Sequence, residues 1–273
     1  IGDPPNIMIG SAAGIDFMSF AYHMTPEIII TMVVAIVLFK FMFRKDLKQK
    51  PENVEKLQAL DAKKEIKDVM LLKKSAIVLG GVIIMFMLHG MLDLDVSIIA
   101  LGGAAVLLVI TGIQPFKALH HVEWPTLLFF CGLFVIVGGV EVSGALELLA
   151  HNILEITEGD LGATMFSITI VSAFASAFVD NIPFTATMIP IVESISVDPM
   201  FAQNLTAFDY NPLWYALAFG ADLGGNGTLI GASANLVAIA VAERFGYRIF
   251  FREFLIKGRS EEHTSELQSH LNL

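Results

Sequence analysis

Six apolar runs dominate this chain: residues 26–43, 75–92, 96–113, 125–150, 161–179 and 212–232. Each is long enough to cross ~30 Å of hydrocarbon at ~1.5 Å of rise per residue. Lipid offers no hydrogen bonds, so a crossing segment must satisfy its backbone internally, as a helix or within a closed barrel. No alternating strand pattern of about ten residues recurs, and the runs therefore predict helices. Only 16% of residues are charged and 55% are hydrophobic, against roughly 25% charged in soluble domains. The expected fold class is an all-α polytopic membrane protein, with the lipid bilayer as its first partner. The net charge of −10 is spread over loops, and no basic patch suits nucleic acid. The single cysteine, Cys131, lies inside a run and reads as packing rather than as a disulfide or metal framework.

Charge orients the spans. Residues 44–74 hold ten of the seventeen Lys and Arg residues, which predicts that this loop is cytoplasmic; the expected location is the plasma (inner) membrane. Run 75–92 then rises outward and 96–113 returns. The turn with Asp93 and Asp95 is acidic and the next, with Lys117, His120 and His121, is basic, as that orientation requires. Run 125–150 leads to the acidic outer segment 151–160. Too few residues separate Asn181 from the polar group Glu193 to Asp198 for another crossing. Residues 161–197 are therefore expected to form a re-entrant hairpin with its tip at 180–187. The last run is interrupted at 220–235, "GADLGGNGTLIGASAN", and its helix resumes at Leu236 and ends near Arg244, Arg248 and Arg252.

The two interruptions carry the candidate chemistry. In "SAFVDNIPFTATMIP", residues 176–190, Pro183 removes a backbone donor and disfavours helix at Ile182, so the chain is expected to open there. Asp180 would supply charge, and Asn181, Thr185 and Thr187 oxygens that replace the hydration shell of a small cation. In the second interruption Gly227 and its neighbours Gly224 and Gly225 permit close approach, while Asp222, Asn226, Thr228 and Asn235 bring oxygen ligands. Candidate Na⁺ ligands are Asn181, Thr185, Asn226 and Thr228. A carboxylate near the bilayer centre costs roughly 2.5–3.5 kcal/mol on insertion scales, so Asp180 and Asp222 are expected to share one wet cavity and to couple protons. The structural alternative is that each Asp caps a broken helix, a role that does not exclude ligation. No cofactor is expected beyond Na⁺ or H⁺ as the coupling ion.

Between Lys117 and Arg244 there is no Lys or Arg, although twelve Asp and Glu residues intervene. That balance favours cations, protons or a neutral solute over a multiply charged anion. Weaker assignments are structural: His89, Glu141 and Glu147 as interfacial or structural groups, Gly138, Gly139 and Gly144 as sites of close helix packing, and Trp124 and Trp214 as interfacial anchors.

An internal echo joins the ends. "IGDPPNIMI", residues 1–9, aligns with "IGASANLVA", residues 230–238, sharing Ile, Gly and Asn in register. Asp3 and Asn6 thereby join the candidate site. Gly14 with Phe17 and Phe20 follows one copy, and Gly246 with Phe250 and Phe251 the other. Helix breaks at corresponding positions of two halves point to a repeat-built transporter.

"VDNIPFTATMIP", "LGGNGTLIGASAN", "IGDPPNIMIG" and "VEWPTLLFFCGLFVIVGG" resemble the signature segments of the ArsB/NhaD group in the ion transporter superfamily, over roughly residues 1–257. The superfamily also contains citrate-type and dicarboxylate transporters. The resemblance implies two inverted repeats, each with a re-entrant hairpin and a discontinuous helix meeting at the site. On this chain 1–43 would be the C-terminal part of the first repeat, with Ile1 to Phe20 half of its broken helix. Residues 44–74 would be the cytoplasmic loop, and 75–257 the second repeat, with three spans, the hairpin 161–197 and a helix broken within 212–245. The tail 258–273 resembles a translated sequencing adapter and is expected to be non-native, and the chain a fragment lacking the start of its first repeat and its last helix. Relatives that move carboxylates have a Ser-Asn-Thr sodium motif where Asp180, Asn181, Pro183 and Thr185 stand here.

The expected function is secondary active transport of a small ion or solute by alternating access, as Na⁺/H⁺ exchange or arsenite export, with a homodimer as the candidate assembly. The alternative is a Na⁺-coupled di- or tricarboxylate transporter of the citrate type. An ion channel and an intramembrane aspartyl protease are further alternatives. The protease would need Gly-x-Gly-Asp, where this chain has "FGAD", and no enzyme is expected.

Overall fold

Local chemistry sets the helix boundaries. α1 (Pro4–Ala13) starts on a proline pair, where a missing amide costs nothing, and stops at Gly14 in the left-handed region (φ 64). In the computed structural model, residues 3–44, 66, 68–120, 122, 124–205, 210–244, 248–251 and 254 are described, and among them all regular structure is helical. Most of the basic loop, His121, Gly246, Arg252 and the tail 258–273 lie outside the described residues. The chain divides into two compact units, one of residues 15–125 and the other of residues 1–14 with 126–273. α1 packs on later helices of its own unit.

The first unit holds α2 (Phe17–Met42), α3 (Val69–Leu92), α4 (Val96–Thr111) and the short α5 (Pro115–Leu119). α2 begins well before the run expected at 26, which corrects the reading of residues 1–20 as one half-helix. Asp16 caps it by accepting the Met18 and Ser19 amides at 3.0 and 3.1 Å, and Pro26 is carried inside the helix. α3 likewise starts at Val69, because Asp68 accepts the Leu71 amide at 2.8 Å. Lys74 then reaches across to donate to the Ile110 carbonyl at 2.9 Å, in the last turn of α4. No residue of α3 is buried, and Ile99 alone is buried in α4. Helices that are apolar all round and not covered by protein are covered by lipid.

The second unit adds α6 (Trp124–Val142), α7 (Ala145–Thr157), α8 (Leu161–Phe178), α9 (Asn181–Val197), α10 (Pro199–Leu205), α11 (Pro212–Gly225) and α12 (Ser233–Arg244). The run expected as one span at 125–150 is bent by 66° where α6 meets α7. Gly144 takes φ 77 there, so its role is conformational. α7 is amphipathic, burying Leu146, Ala150, Leu154 and Thr157 and leaving Glu147 on its polar face. By length and composition α2, α3 and α8 can each cross a membrane, and the bent pair α6–α7 makes up to four spans among the described residues. The protein is an all-α, polytopic membrane protein.

α8 and α11 form the tightest pair, and small residues make it so. A Cβ on Gly220 would lie 2.5 Å from the Thr169 carbonyl, and one on Gly224 2.5 Å from that of Ala173. Backbones this close exchange side-chain bonds: Ser176 Oγ donates to the Ala221 carbonyl at 2.9 Å and Thr169 Oγ1 to that of Ala216 at 3.3 Å. Gly138 and Gly139, by contrast, have nothing among the described residues within 4 Å of an added Cβ. Trp214 is also not an interfacial anchor. It is buried within α11, whereas Trp124 is exposed and donates to the Leu119 carbonyl at 3.0 Å.

Candidate functional site

α8 and α9 are separated by Val179 and Asp180 alone. Asp180 caps α9, its carboxylate accepting the Ile182 amide at 3.0 Å. The opening expected over 180–187 shrinks to these two residues. Pro183 is the third residue of α9, where the backbone N–H would have no partner inside the helix in any case. With the helix continuous, Thr187 Oγ1 donates to the Pro183 carbonyl at 3.0 Å, and Thr185 is fully buried.

The second break, 226–232, lies between α11 and α12 and is stapled by its own side chains. Asn226 Nδ2 donates to the Asp222 carbonyl at 3.1 Å. Thr228 Oγ1 donates to the Ala177 carbonyl of α8 and accepts the Ile230 amide at 3.2 Å. Asn235 Nδ2 donates to two carbonyls freed by the break, Gly225 at 2.8 Å and Thr228 at 3.0 Å. Gly227 sits against α8, where an added Cβ would come within 2.7 Å of that of Ala177.

The two breaks touch each other, and α1 ties onto both. The Asn181 amide donates to the Gly231 carbonyl at 3.1 Å. Asn6 Nδ2 donates to Asp222 Oδ2 at 2.8 Å, and Asn181 Nδ2 to Asp3 Oδ2 at 3.0 Å. Asp3 and Asn6 stand three residues apart, on one face of the first turn of α1. Asp180 and Asp222 take different partners: the first caps a helix and the second faces Asn6. α1 and α12 also start at the positions that the internal echo matches, Pro4 and Ser233.

Among the described residues of this unit, several buried oxygens are left over. Asn6 Oδ1, Asp222 Oδ1, Thr185 Oγ1 and Ser172 Oγ are buried without a hydrogen-bond partner. A buried acceptor left so costs about 1–3 kcal/mol unless something meets it. The first two belong to side chains already bonded to each other, so two unmet acceptors belong to the Asn6–Asp222 pair. Carboxylate, amide and hydroxyl oxygens form a hard donor set that fits Na⁺ or H⁺. Ser172, Ser176 and Gly220 escaped the sequence reading, although their four-residue spacing, 172/176 against 220/224, is the small-residue pattern of close helix packing. A separate cleft of about 400 Å³ between α7 and α9 is lined by Glu147, His151, Ser194 and Asp198 and includes none of the residues above.

A family profile described as "Citrate transporter" matches residues 1–220. An uncharacterized transporter of Mycobacterium bovis is 41% identical over 258 residues, 94% of this chain and 59% of the relative. A "46 kDa membrane protein" of Mycobacterium leprae is 40% identical over the same shares. The human "P protein" is 43% identical over 226 residues, 79% of this chain and 26% of that protein. The chain thus spans 59% of the length of its mycobacterial relatives. No solved structure matches it.

Proposed function

The chain belongs to the citrate transporter family of membrane transporters, and from that premise we propose that it carries the ion-coupling half of a secondary active transporter that exchanges a small cation or solute for protons. Na⁺/H⁺ exchange of the NhaD kind, or arsenite export of the ArsB kind, is the reading the side chains support best. One observation carries it: Asn6 Oδ1 and Asp222 Oδ1 are unmet acceptors on a pair already joined through Asn6 Nδ2 and Asp222 Oδ2. A proton on Asp222 or a Na⁺ beside it would satisfy the same atoms. Competition between two ions for one set of acceptors is the chemical requirement of an exchanger. Asn181 and Thr185 are the further oxygen ligands proposed, and Asp180 acts with Asp3 to keep the region acidic. Asn226, Gly227, Thr228 and Asn235 hold the second break open, and carbonyls at the breaks are the ligands they present, while Thr187 closes onto the Pro183 carbonyl within α9. A plasma-membrane location, the repeat organisation and a homodimer accompany this reading.

A second reading is favoured by the description of the family: Na⁺-coupled movement of citrate or another carboxylate. With no Lys or Arg between Lys117 and Arg244, a bound Na⁺ would bridge such an anion to this part of the protein. Binding of radiolabelled sodium to the purified chain separates the two. Exchange predicts that sodium binding releases a proton, weakens as pH falls and vanishes in Asp222→Asn. The carboxylate reading predicts sodium binding that citrate strengthens. Sodium binding indifferent to pH, to citrate and to Asp222→Asn removes both.

A further inference from the structure

The first turn of α2 has a complete set of acceptors, and one of them is a histidine from another helix. A helix leaves its first four amides without internal partners. The intrahelical ladder opens with Phe20, which donates to the Asp16 carbonyl at 2.9 Å; of the three helical amides before it, Met18 and Ser19 donate to the Asp16 carboxylate. The remaining amide, Phe17, donates to Nε2 of His89 at 2.9 Å. His89 belongs to the last turn of α3, and its other nitrogen, Nδ1, lies 3.2 Å from the Leu94 carbonyl in the turn that leads to α4. A backbone N–H can only donate, so Nε2 must be unprotonated. Nδ1 therefore carries the hydrogen and donates it to Leu94.

We propose that His89 is a proton-operated latch, which holds the first turn of α2 to α3 while its ring is neutral and releases it when Nε2 takes a proton. The imidazolium has a donor at both nitrogens, so a proton at Nε2 points at the Phe17 N–H and the bond is lost. The positive end of the α2 dipole repels the charged ring as well. The charged group shown to act on it is acidic, Asp16 of α2; the turn between α3 and α4 adds only Asp93 and Asp95, and α4 carries no charged side chain. Asp16 is closest, since α3 meets it at Gly90, where an added Cβ would lie 3.0 Å from that of Asp16. The protonated ring thus gains an acceptor in Asp16, at the expense of the carboxylate's bonds to Met18 and Ser19. Histidine is the side chain whose ordinary titration falls within the physiological range.

The latch is at the end of α2 and α3 remote from the basic loop, so it responds to the pH of the opposite face.

The test needs no transport activity, so its outcome is separate from that of the transport reading. Ring nitrogen shifts are measured across pH on the chain labelled with ¹⁵N-histidine in detergent micelles, with His89 assigned through its own backbone and confirmed by its loss in His89→Gln. Amide exchange at Phe17 is followed in parallel, corrected for its intrinsic pH dependence. The neutral ring should be the Nδ1–H tautomer, the minor one for free histidine. Protection of Phe17 should fall roughly tenfold, the weight of one hydrogen bond, with the midpoint of ring protonation. His89→Gln, which keeps an acceptor but cannot titrate, should hold that protection throughout. An Nε2–H tautomer at neutral pH, or Phe17 protection that ignores ring protonation, overturns the proposal.

Discussion

The backbone amide of Asn181 donates to the carbonyl of Gly231 across 3.1 Å. One residue opens α9 and the other lies in the break before α12, so a single hydrogen bond joins the two interruptions. The first amide of a helix has no partner of its own, and a carbonyl released by a broken helix has lost its donor. Each break therefore supplies what the other lacks. Neither would be tolerated alone at membrane depth, where an unmet backbone group costs several kcal/mol.

Gly231 allows that bond because nothing larger fits. An added Cβ would lie 2.9 Å from the Gly224 carbonyl, 3.0 Å from that of Gly225 and 3.2 Å from that of Ala177. All three are backbone atoms and cannot swing away. Gly231→Ala should destabilise the protein by about 1–3 kcal/mol, the usual cost of overpacking, read as a lower melting temperature in detergent. An unchanged melting temperature would mean that the breaks are not held together as described.

The α8–α11 seam predicts a contrast among glycines. Gly220→Ala and Gly224→Ala force a methyl to within 2.5 Å of a carbonyl oxygen on α8. They should each lower the melting temperature, and the helices should separate if both are changed. Gly138→Ala and Gly139→Ala meet nothing within 4 Å and should be neutral or slightly stabilising, since Ala favours helix by up to ~1 kcal/mol over Gly. Thermal unfolding of the four variants side by side checks the ranking.

This contrast also marks how far the residue pattern could be read. Interruptions are expected at 180–187 and 220–235 because Asp, Asn, Pro and Gly cluster there in otherwise apolar runs, and the helices break at 179–180 and 226–232. Their depth was not legible. Pro183 reads as a breaker, yet three residues into a helix its missing amide costs nothing. Pro26 reads as a start, yet Asp16 caps the helix well before it. The bend at Gly144 depends on a positive φ that composition does not show. Gly138 and Gly220 look alike in sequence, and only the neighbouring helix tells which one is needed. The pairing of Asn6 with Asp222 joins residues 216 positions apart and is a tertiary fact. The internal echo brought Asn6 into view but could not name its partner.

Asn235 separates a stapling role from a purely ligating one. Its amide donates to the carbonyls of Gly225 and Thr228 on either side of the break. Asn235→Ala leaves both without that donor and should cost about 0.6–1.7 kcal/mol per lost bond, the range for side-chain hydrogen bonds within membranes. Amide exchange over 226–232 should accelerate in the absence of any ion. If stability and exchange are untouched and sodium binding alone is lost, Asn235 is a ligand and not a staple.

Asn6→Asp turns the central pair into a test of what the leftover oxygens require. The variant would set a second carboxylate at the 2.8 Å contact that Asn6 now makes with Asp222. Two carboxylates this close cannot both ionise unless a proton or a cation lies between them. The melting temperature of Asn6→Asp should therefore fall as pH rises through the range in which the second carboxyl must ionise, and be restored by acid or by added sodium. Potassium restores it less if the space left beside Asp222 Oδ1 is sized for the smaller ion. Asn6→Ala, which removes the donor without adding charge, should be less stable than wild type at every pH and show no rescue by sodium beyond that of the unaltered chain. A variant Asn6→Asp that melts alike in acid, in alkali and with sodium would mean that the two side chains open to water and share no ion, and the coupling role proposed for Asp222 would fall with it.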